Sequence, residues 1–116
     1  MFGLGPATRI FVAIDCVDMR KGFEGLHGLV RDYLEQDPLS GHLFLFTNKP
    51  RTRIKALVWD GSGLWVCAKR LEKGRFSWPE EKHARSVTMR PEELAMLVSG
   101  LDLKQVKHRN WYRGRG

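Results

Sequence analysis

Three aspartates stand where a metal-dependent nuclease would need carboxylates. Asp15 closes an apolar run, Asp18 begins the next segment, and Asp60 precedes a glycine between two apolar runs. Converging carboxylates can hold the two divalent ions that activate water for phosphodiester cleavage, but the same residues suit helix caps and hairpin turns. Cys67 occupies the position, two residues before Lys69, where a restriction-type nuclease would carry a carboxylate. We therefore expect capping and turn roles and no metal site.

Histidine, serine and cysteine offer no catalytic pattern either. The four histidines lack the spacing of a zinc site, and no serine lies in a Gly-x-Ser-x-Gly setting. No phosphate loop or dinucleotide fingerprint occurs. Cys16 and Cys67 each lie in an apolar segment, which favours two buried free thiols in a reducing compartment over one disulfide. We expect a cytoplasmic protein that is not an enzyme and uses no cofactor.

Basic residues are concentrated in the second part of the chain. Residues 1–48 hold 4 Lys/Arg and 6 Asp/Glu, a net charge of −2, whereas residues 49–116 hold 16 and 7, a net charge of +9. Within a chain of net charge +7 and pI of 9.9, this asymmetry indicates a polyanionic partner. The alternative is a basic protein whose charge serves solubility alone.

Two clusters near predicted turns carry much of that charge. The first alternates with other residues, so that in an extended chain its side chains point the same way: Lys49, Arg51, Arg53 and Lys55. The second crowds a predicted turn at residues 72–74: Lys69, Arg70, Lys73 and Arg75. Antiparallel pairing of the intervening strands would bring both clusters to one rim, which predicts phosphate contacts with a steep salt dependence. The alternative is that Lys and Arg occur here only because the two turns are exposed to water.

The segment "DMRKGF", residues 18–23, has an unusual order of charges for a helix start. Asp18 suits an N-cap, which would place Arg20 and Lys21 in the first helical turn, against the helix dipole. Ion pairing with Asp15 or Asp18 would offset that cost, and so would an anion drawn to the free N–H groups. We predict a structural corner whose Arg20 and Lys21 also contact phosphate.

Tryptophans add further candidates. Trp59 and Trp65 flank the predicted hairpin at Asp60, where cross-strand packing is the expected role. The basic segment 104–116 interleaves cations with aromatics, a composition that suits nucleic acid or an acidic partner protein. Packing back onto the fold is the alternative role of this segment. We include three of its residues among the predicted DNA contacts: Arg109, Trp111 and Arg113.

The secondary-structure elements that must position these groups are predicted to form an α+β domain. Strands are predicted at residues 9–15, 42–47, 54–59, 64–71 and 86–89, with one helix after Asp18 and another from Pro91. The order β-α-β-β-β-β-α gives a mostly antiparallel sheet of about five strands, whose first two are parallel if the first helix forms a crossover. Residues 54–78 are interpreted as two linked hairpins. We expect one domain over residues 1–103 and a flexible basic tail over residues 104–116. The chain has no apolar run near the roughly 18 residues of a membrane span and no signal-peptide pattern, so no membrane association is expected.

Five blocks occur in an order that resembles one known family. They are "DMRKGFEGL" (18–26), "DPLSGHLFLF" (37–46), "RIKALVWDGSGL" (53–64), "AKRLEKGRFSWP" (68–79) and "LAMLVSGLDL" (94–103). Through them the chain closely resembles the small accessory protein, TnpB or second-frame protein, of the insertion sequence 66 family of bacterial transposable elements. The similarity runs from residue 5 to residue 103.

The resemblance implies a protein encoded beside the large transposase and needed for efficient transposition, without being the strand-transfer enzyme. It implies DNA and the transposase as partners, either by direct DNA binding or as a protein–protein adaptor, and it leaves self-association open. The family has no established catalytic residues to carry over. Arg90 stands where the family commonly has a capping Thr or Ser, which predicts a less firmly started second helix. The recurrent motif positions of the family correspond here to Asp18, Arg20, Lys21, Gly22, Phe23, Gly41, Trp59, Asp60, Gly61, Gly63, Lys69, Arg70, Gly74 and Arg75.

Overall fold

The computed structural model describes residues 7–100. Within them the strands are β1 (Ile10–Ala13), β2 (Leu43–Thr47), β3 (Arg53–Trp59), β4 (Leu64–Arg70) and β5 (Ser86–Met89). Helix α1 (Phe23–Gly28) continues as a π-helical segment over Leu29–Tyr33, and α2 (Pro91–Val98) follows β5. The predicted α+β class and element order are confirmed. The predicted tail, residues 104–116, lies outside the described residues.

The strands form a single sheet in the order β4-β3-β2-β1-β5. β1 and β2 are parallel, with Ile10 beside Leu43, because α1 forms the crossover between them. The other three pairings are antiparallel. All four residues of β1 are buried, as expected for a strand that has neighbours on both sides and cover on both faces.

Side chains alternate between the two faces of the sheet and form two separate cores. One face packs against α2, and the other packs against α1 and the π-helical segment. The α2-side core includes Ile10, Val12, Leu45, Val58, Phe76, Trp78 and Leu97, and the α1-side core includes Phe11, Ala13, Phe44, Leu57, Leu26 and Val30. In β1, consecutive residues therefore serve different cores.

Asp18 does not cap α1, contrary to the sequence prediction. The helix begins at Phe23, after Gly22, and has no side-chain cap. Asp18 Oδ1 instead accepts the backbone N–H of Arg20 at 2.8 Å, which closes a local turn before the helix. Arg20 and Lys21 therefore precede α1 and do not lie in its first turn.

The predicted second hairpin is also wrong. Residues 72–74 do turn, with Gly74 at φ +75°, but no strand follows between β4 and β5. Phe76 and Trp78 point into the α2-side core, and the Trp78 indole N–H donates to the carbonyl of Ala13 at 2.8 Å. Burial of these two aromatics replaces strand pairing, so residues 71–85 form an irregular segment that crosses the end of the sheet.

Helix α2 begins without a Ser or Thr cap. Glu93 accepts the backbone N–H of Arg90 at 3.1 Å, which closes the start of the helix.

Cys16 and Cys67 are both free, but the predicted burial of the two thiols is wrong. Cys16 is exposed in the loop after β1, and Cys67 is half-buried. No helix among residues 7–100 is long and apolar enough to cross a membrane.

The buried indole contact between β1 and the irregular segment is testable. Trp78→Phe keeps the aromatic ring but leaves the Ala13 carbonyl without its donor, so we expect the free energy of unfolding to fall by about 1–3 kcal/mol. Trp65→Phe removes the exposed indole hydrogen bond to Asp60, where water can replace the lost donor, so it should cost about 1 kcal/mol or less. Urea denaturation followed by circular dichroism measures both. Equal losses from the two variants would contradict the assignment.

Candidate nucleic-acid interface

All five strands have one terminus at the same end of the sheet. β1, β2 and β4 end there, and β3 and β5 begin there. Arg53, at the start of β3, lies directly opposite Arg70, at the end of β4. The predicted meeting of the two basic clusters at one end of the sheet is therefore confirmed.

We call the segments at this end of the sheet the cationic rim: residues 14–22, 48–55 and 69–85. The rim holds 12 Lys/Arg and 5 Asp/Glu, a net charge of +7, whereas the rest of residues 7–100 holds 3 and 7, a net charge of −4. The charge is thus separated along the direction of the strands. Every predicted DNA contact within the described residues lies on the rim: Arg20, Lys21, Lys49, Arg51, Arg53, Lys55, Lys69, Arg70, Lys73 and Arg75.

The rim cations do not share one face. Alternation along the paired strands places Arg53, Lys55 and Arg70 on the α1 side and Lys69 on the α2 side. The prediction that residues 49, 51, 53 and 55 point the same way is wrong, because residues 48–52 turn instead of extending. Arg51 adopts a left-handed φ of +59° at this turn.

On the α1 side, four cations form what we call the α1-side patch: Lys21, Arg53, Lys55 and Arg70. Lys55 Nζ donates to the carbonyl of Lys21 at 2.7 Å, which ties the segment before α1 to β3. A pocket of about 380 Å³ lies beside them, and its charged wall residues are Arg53, Lys55, Lys69, Arg70 and Glu72. Arg70 Nη2 is 3.5 Å from Glu72 Oε2, an exposed ion pair. Like charges directly opposite on neighbouring strands destabilise a sheet, so the Arg53–Arg70 pair has a structural cost.

A second cavity at the same end has mixed charge. This groove of about 730 Å³ lies between the end of β1, the turn after β2 and the irregular segment. Arg51 Nη1 is 3.9 Å from Glu80 Oε2 at its wall. The charged residues that line it are Asp15, Lys49, Arg51, Glu80, Glu81 and Lys82. Three acids and three bases line this groove, whereas four bases and one acid line the pocket beside the α1-side patch, so the groove has no excess of positive charge.

Arg20 forms an ion pair with Asp18. Ion pairing is one of the two interpretations of its position that the sequence allows. Its Nη2 donates to Asp18 Oδ2 at 2.7 Å and its Nε to Oδ1 at 3.1 Å. The Arg20 side-chain hydrogen bond, followed by its backbone N–H, lowers the pKa of Asp18 to about 2. The Arg20 side chain remains 91% exposed, so the pair adds little stability and the guanidinium stays accessible.

The remaining predicted contacts differ in their surroundings. Lys69 Nζ donates to the carbonyl of Val98 at 2.7 Å, at the end of α2 where a cation complements the helix dipole. Lys73 and Arg75 are exposed in the loop after β4. Arg109, Trp111 and Arg113 lie outside the described residues. DNA contact by any of these side chains stays a prediction.

Of the three aspartates, Asp60 has the turn role that the sequence predicts. Asp60 Oδ1 accepts the backbone N–H groups of Ser62 and Gly63, each at 2.9 Å, and Oδ2 accepts the Trp65 indole N–H at 2.7 Å. These donors, the Ser62 N–H foremost, lower the pKa of Asp60 to about 2. Asp15 accepts the hydroxyl of Tyr33. Residues 7–100 contain no group of three His, Cys, Asp or Glu side chains placed to hold a metal ion.

The predicted packing of Trp59 against Trp65 is wrong. Val58 is the partner of Trp65 across the hairpin, and Leu64 is the partner of Trp59, so the two indoles lie on opposite faces of the sheet. The Trp65 indole N–H instead donates to Asp60 in the same hairpin, and 51% of the Trp65 surface is exposed.

Sequence reasoning missed three residues at or beside the rim. Lys82 and Arg85 reach it through the irregular segment, where Arg85 lies 4.9 Å above the ring of Tyr33 and donates to the Tyr33 carbonyl at 2.9 Å. Phe23, the first residue of α1, is 54% exposed. No local signal marks Lys82 and Arg85, because their position depends on how the chain crosses the end of the sheet. Phe23 belongs to a recurrent motif of the family, but its exposure could not be predicted from that motif.

Fold and charge together define a class of protein: a small α+β domain, covered on both faces of its sheet, with cations gathered at one end as in proteins that contact a polyanion. The chain belongs to the family described as IS66 Orf2 like protein, which it matches over residues 8–108. Membership links the chain to an insertion sequence and suggests an accessory role in transposition.

Two relatives are uncharacterized proteins of Sinorhizobium fredii. The protein y4jC is 41% identical over 109 residues, which are 94% of this chain and 92% of the relative. The protein y4hO is 35% identical over 102 residues, which are 88% of each chain. No solved structure matches the chain.

The corner formed by Asp18 and Arg20 yields a pH prediction. Arg20→Gln removes the strongest influence on Asp18 but keeps the backbone N–H, so the pKa of Asp18 should rise from about 2 towards its ordinary 3.8. Because the pKa is lowered on folding, the contribution of this corner to stability is complete above pH 3.8 and is lost as the pH falls towards 2. Carboxyl-carbon NMR titration measures the shift.

Asp60 is the internal control for this titration, because its donors do not include Arg20. Its pKa should be the same in both proteins. An unchanged Asp18, or an equal shift at both carboxyls, would contradict the assignment.

Proposed function

We propose that this protein is a non-catalytic accessory factor of transposition that binds DNA through the cationic rim. The observation that carries the proposal is the separation of charge, with a net +7 on the rim and −4 on the rest of residues 7–100. Lys and Arg that neutralise phosphates release counterions, which drives binding without reading sequence. The opposite sign elsewhere orients the molecule, because only the rim end is attracted to the DNA.

The α1-side patch is the primary contact in this proposal. Arg53 and Arg70 face each other across β3 and β4, so a phosphate between them would replace a repulsion with two charge-assisted hydrogen bonds. Lys55 is held beside them through the carbonyl of Lys21 at 2.7 Å. The mixed groove contributes less, because Glu80 and Glu81 line it together with its cations.

The protein itself does not cleave or join DNA in this proposal. Asp60 and Asp18 hold the turns around them with several hydrogen bonds each, and Asp15 is bonded to Tyr33. A metal-dependent nuclease would cleave element-end DNA in the presence of divalent ions and lose that activity in Asp15→Asn or Asp18→Asn. Intact DNA in this assay supports the non-catalytic role.

An adaptor for the transposase is the second candidate, favoured by the open edge of the sheet. Among residues 7–100, β4 pairs only with β3, so the N–H and C=O groups on its outer side are available to a partner strand. Co-purification with the transposase after nuclease treatment, abolished by removal of residues 104–116, would favour the adaptor over DNA binding.

Charge reversal tests the DNA contact. Arg53→Glu should weaken binding to element-end DNA by about tenfold or more, the equivalent of removing a charged hydrogen bond of about 1.5–3 kcal/mol. It should also reduce the slope of log K against log salt by about 1 for each phosphate that the variant no longer neutralises. Gel-shift titrations at several salt concentrations measure both. Arg9→Glu, an equal charge change at the other end of β1, is the matched control and should change binding little.

The stability of the same variant separates binding from folding. Arg53→Glu places a carboxylate opposite Arg70, so the free energy of unfolding should stay constant or rise by about 0.2–1 kcal/mol. Binding that is absent at low salt, or that falls equally in Arg53→Glu and Arg9→Glu, would overturn the rim as the DNA site.

A further inference from the structure

Phe23 is an exposed aromatic side chain at the edge of a cationic surface. It directly follows the rim segment 14–22 and keeps 54% of its surface in solvent. Leu26, one helical turn later, is completely buried against the sheet. The other large exposed apolar side chains among residues 7–100, Leu39 and Trp65, lie away from the rim, near the start of β2 and the start of β4.

The segment that carries Phe23 is held against the α1-side patch by two contacts. Lys55 on β3 binds the carbonyl of Lys21 at 2.7 Å, two residues before Phe23. The stem of Lys21 lies over the first turn of α1, because a Cβ at Gly25 would be 3.0 Å from Lys21 Cβ and 3.1 Å from its Cγ. A Cβ at this position would require the Lys21 stem to shift by a few tenths of an ångström. Lys21 and Phe23 are therefore held together on the side of the sheet where Arg53 and Arg70 lie.

The backbone directly before Phe23 borders open space. A Cβ built at Gly22 meets no atom within 4 Å, so the backbone before Phe23 leaves room for a ligand to approach. Burying the exposed face of this ring against an apolar planar group would remove it from water, and a neighbouring phosphate would reach the cations.

We propose that the α1-side patch with Phe23 binds single-stranded nucleic acid. The proposed function in transposition makes DNA, rather than RNA, the expected ligand. Phe23 stacks on an unpaired base while Lys21, Arg53 and Arg70 contact the adjoining phosphates. A duplex offers the same phosphates but keeps the faces of its bases stacked on each other, so the ring discriminates between the two forms. This inference rests on the proposed function and specifies its ligand.

The test compares Phe23→Ala and Phe23→Leu with Phe23→Trp on a labelled oligothymidine and on a duplex with the same number of phosphates. Removal of one stacking aromatic should weaken oligothymidine binding roughly 5- to 100-fold and leave duplex binding nearly unchanged. Phe23→Leu keeps the apolar volume and controls for packing, whereas Phe23→Trp should retain or increase affinity. Fluorescence anisotropy measures the dissociation constants.

Two controls distinguish stacking from charge. Trp65→Ala removes an aromatic of similar exposure away from the rim and should leave binding to both ligands unchanged. The salt slope should be the same in Phe23→Ala as in the unchanged protein, because stacking releases no counterions, whereas Arg53→Glu should lower it.

The outcomes separate this inference from the proposed function. If the unchanged protein binds neither ligand, DNA binding by the rim fails. If it binds both, but Phe23→Ala keeps full affinity for oligothymidine or weakens duplex binding equally, only the stacking role fails. Tighter binding to an oligouridine of the same length by about tenfold would overturn DNA as the ligand, since the 2′-hydroxyl would then contribute.

Discussion

The parallel pairing of β1 with β2 is the constraint on which the distribution of charge depends. Parallel strands have their carboxyl termini at the same end of a sheet. β3, β4 and β5 then run antiparallel to their neighbours. Among residues 7–100, the segments rich in Lys and Arg therefore all lie at that one end of the sheet, although they are far apart in the chain. The register also matters, because a slip of one residue would move Arg53, Lys55 and Arg70 to the other face and expose the apolar side chains between them.

Burial on both faces explains why the cations of the rim are divided. Each strand contributes alternate residues to two cores, so a run of basic residues at a strand end must also split between two sides. On the α1 side, the split leaves Arg53 opposite Arg70, a pairing that costs stability in the absence of an anion. On the α2 side, Lys69 is occupied with the end of α2. The α1-side patch also has structural tasks, because Lys55 binds the carbonyl of Lys21 and Arg70 Nη2 lies 3.5 Å from Glu72 Oε2, but cations outnumber the one acid in the adjoining pocket.

Acidic residues hold the loops at both ends of the sheet in shape. Asp18 closes the turn before α1 and pairs with Arg20, and its pKa of about 2 keeps it charged at every physiological pH. Asp60 does the same for the hairpin at the opposite end. Of the three carboxylates singled out in the sequence, Asp18 and Asp60 thus bind local backbone N–H groups, and Asp15 accepts the hydroxyl of Tyr33.

Local patterns in the sequence determined the element types and their order, the interior position of β1, the hairpin at Asp60 and the family, because periodicity and turn chemistry depend on neighbouring residues. They also predicted that residues 49–55 and 69–75 meet, because antiparallel pairing follows from a short hairpin. Tertiary structure alone decided that Phe76 and Trp78 leave the sheet for the α2-side core, which turned a predicted hairpin into the segment that brings Lys82 and Arg85 to the rim. It likewise decided the split of the cations and the exposure of Phe23. These depend on which face of the sheet each helix covers, and no short stretch of sequence contains that information.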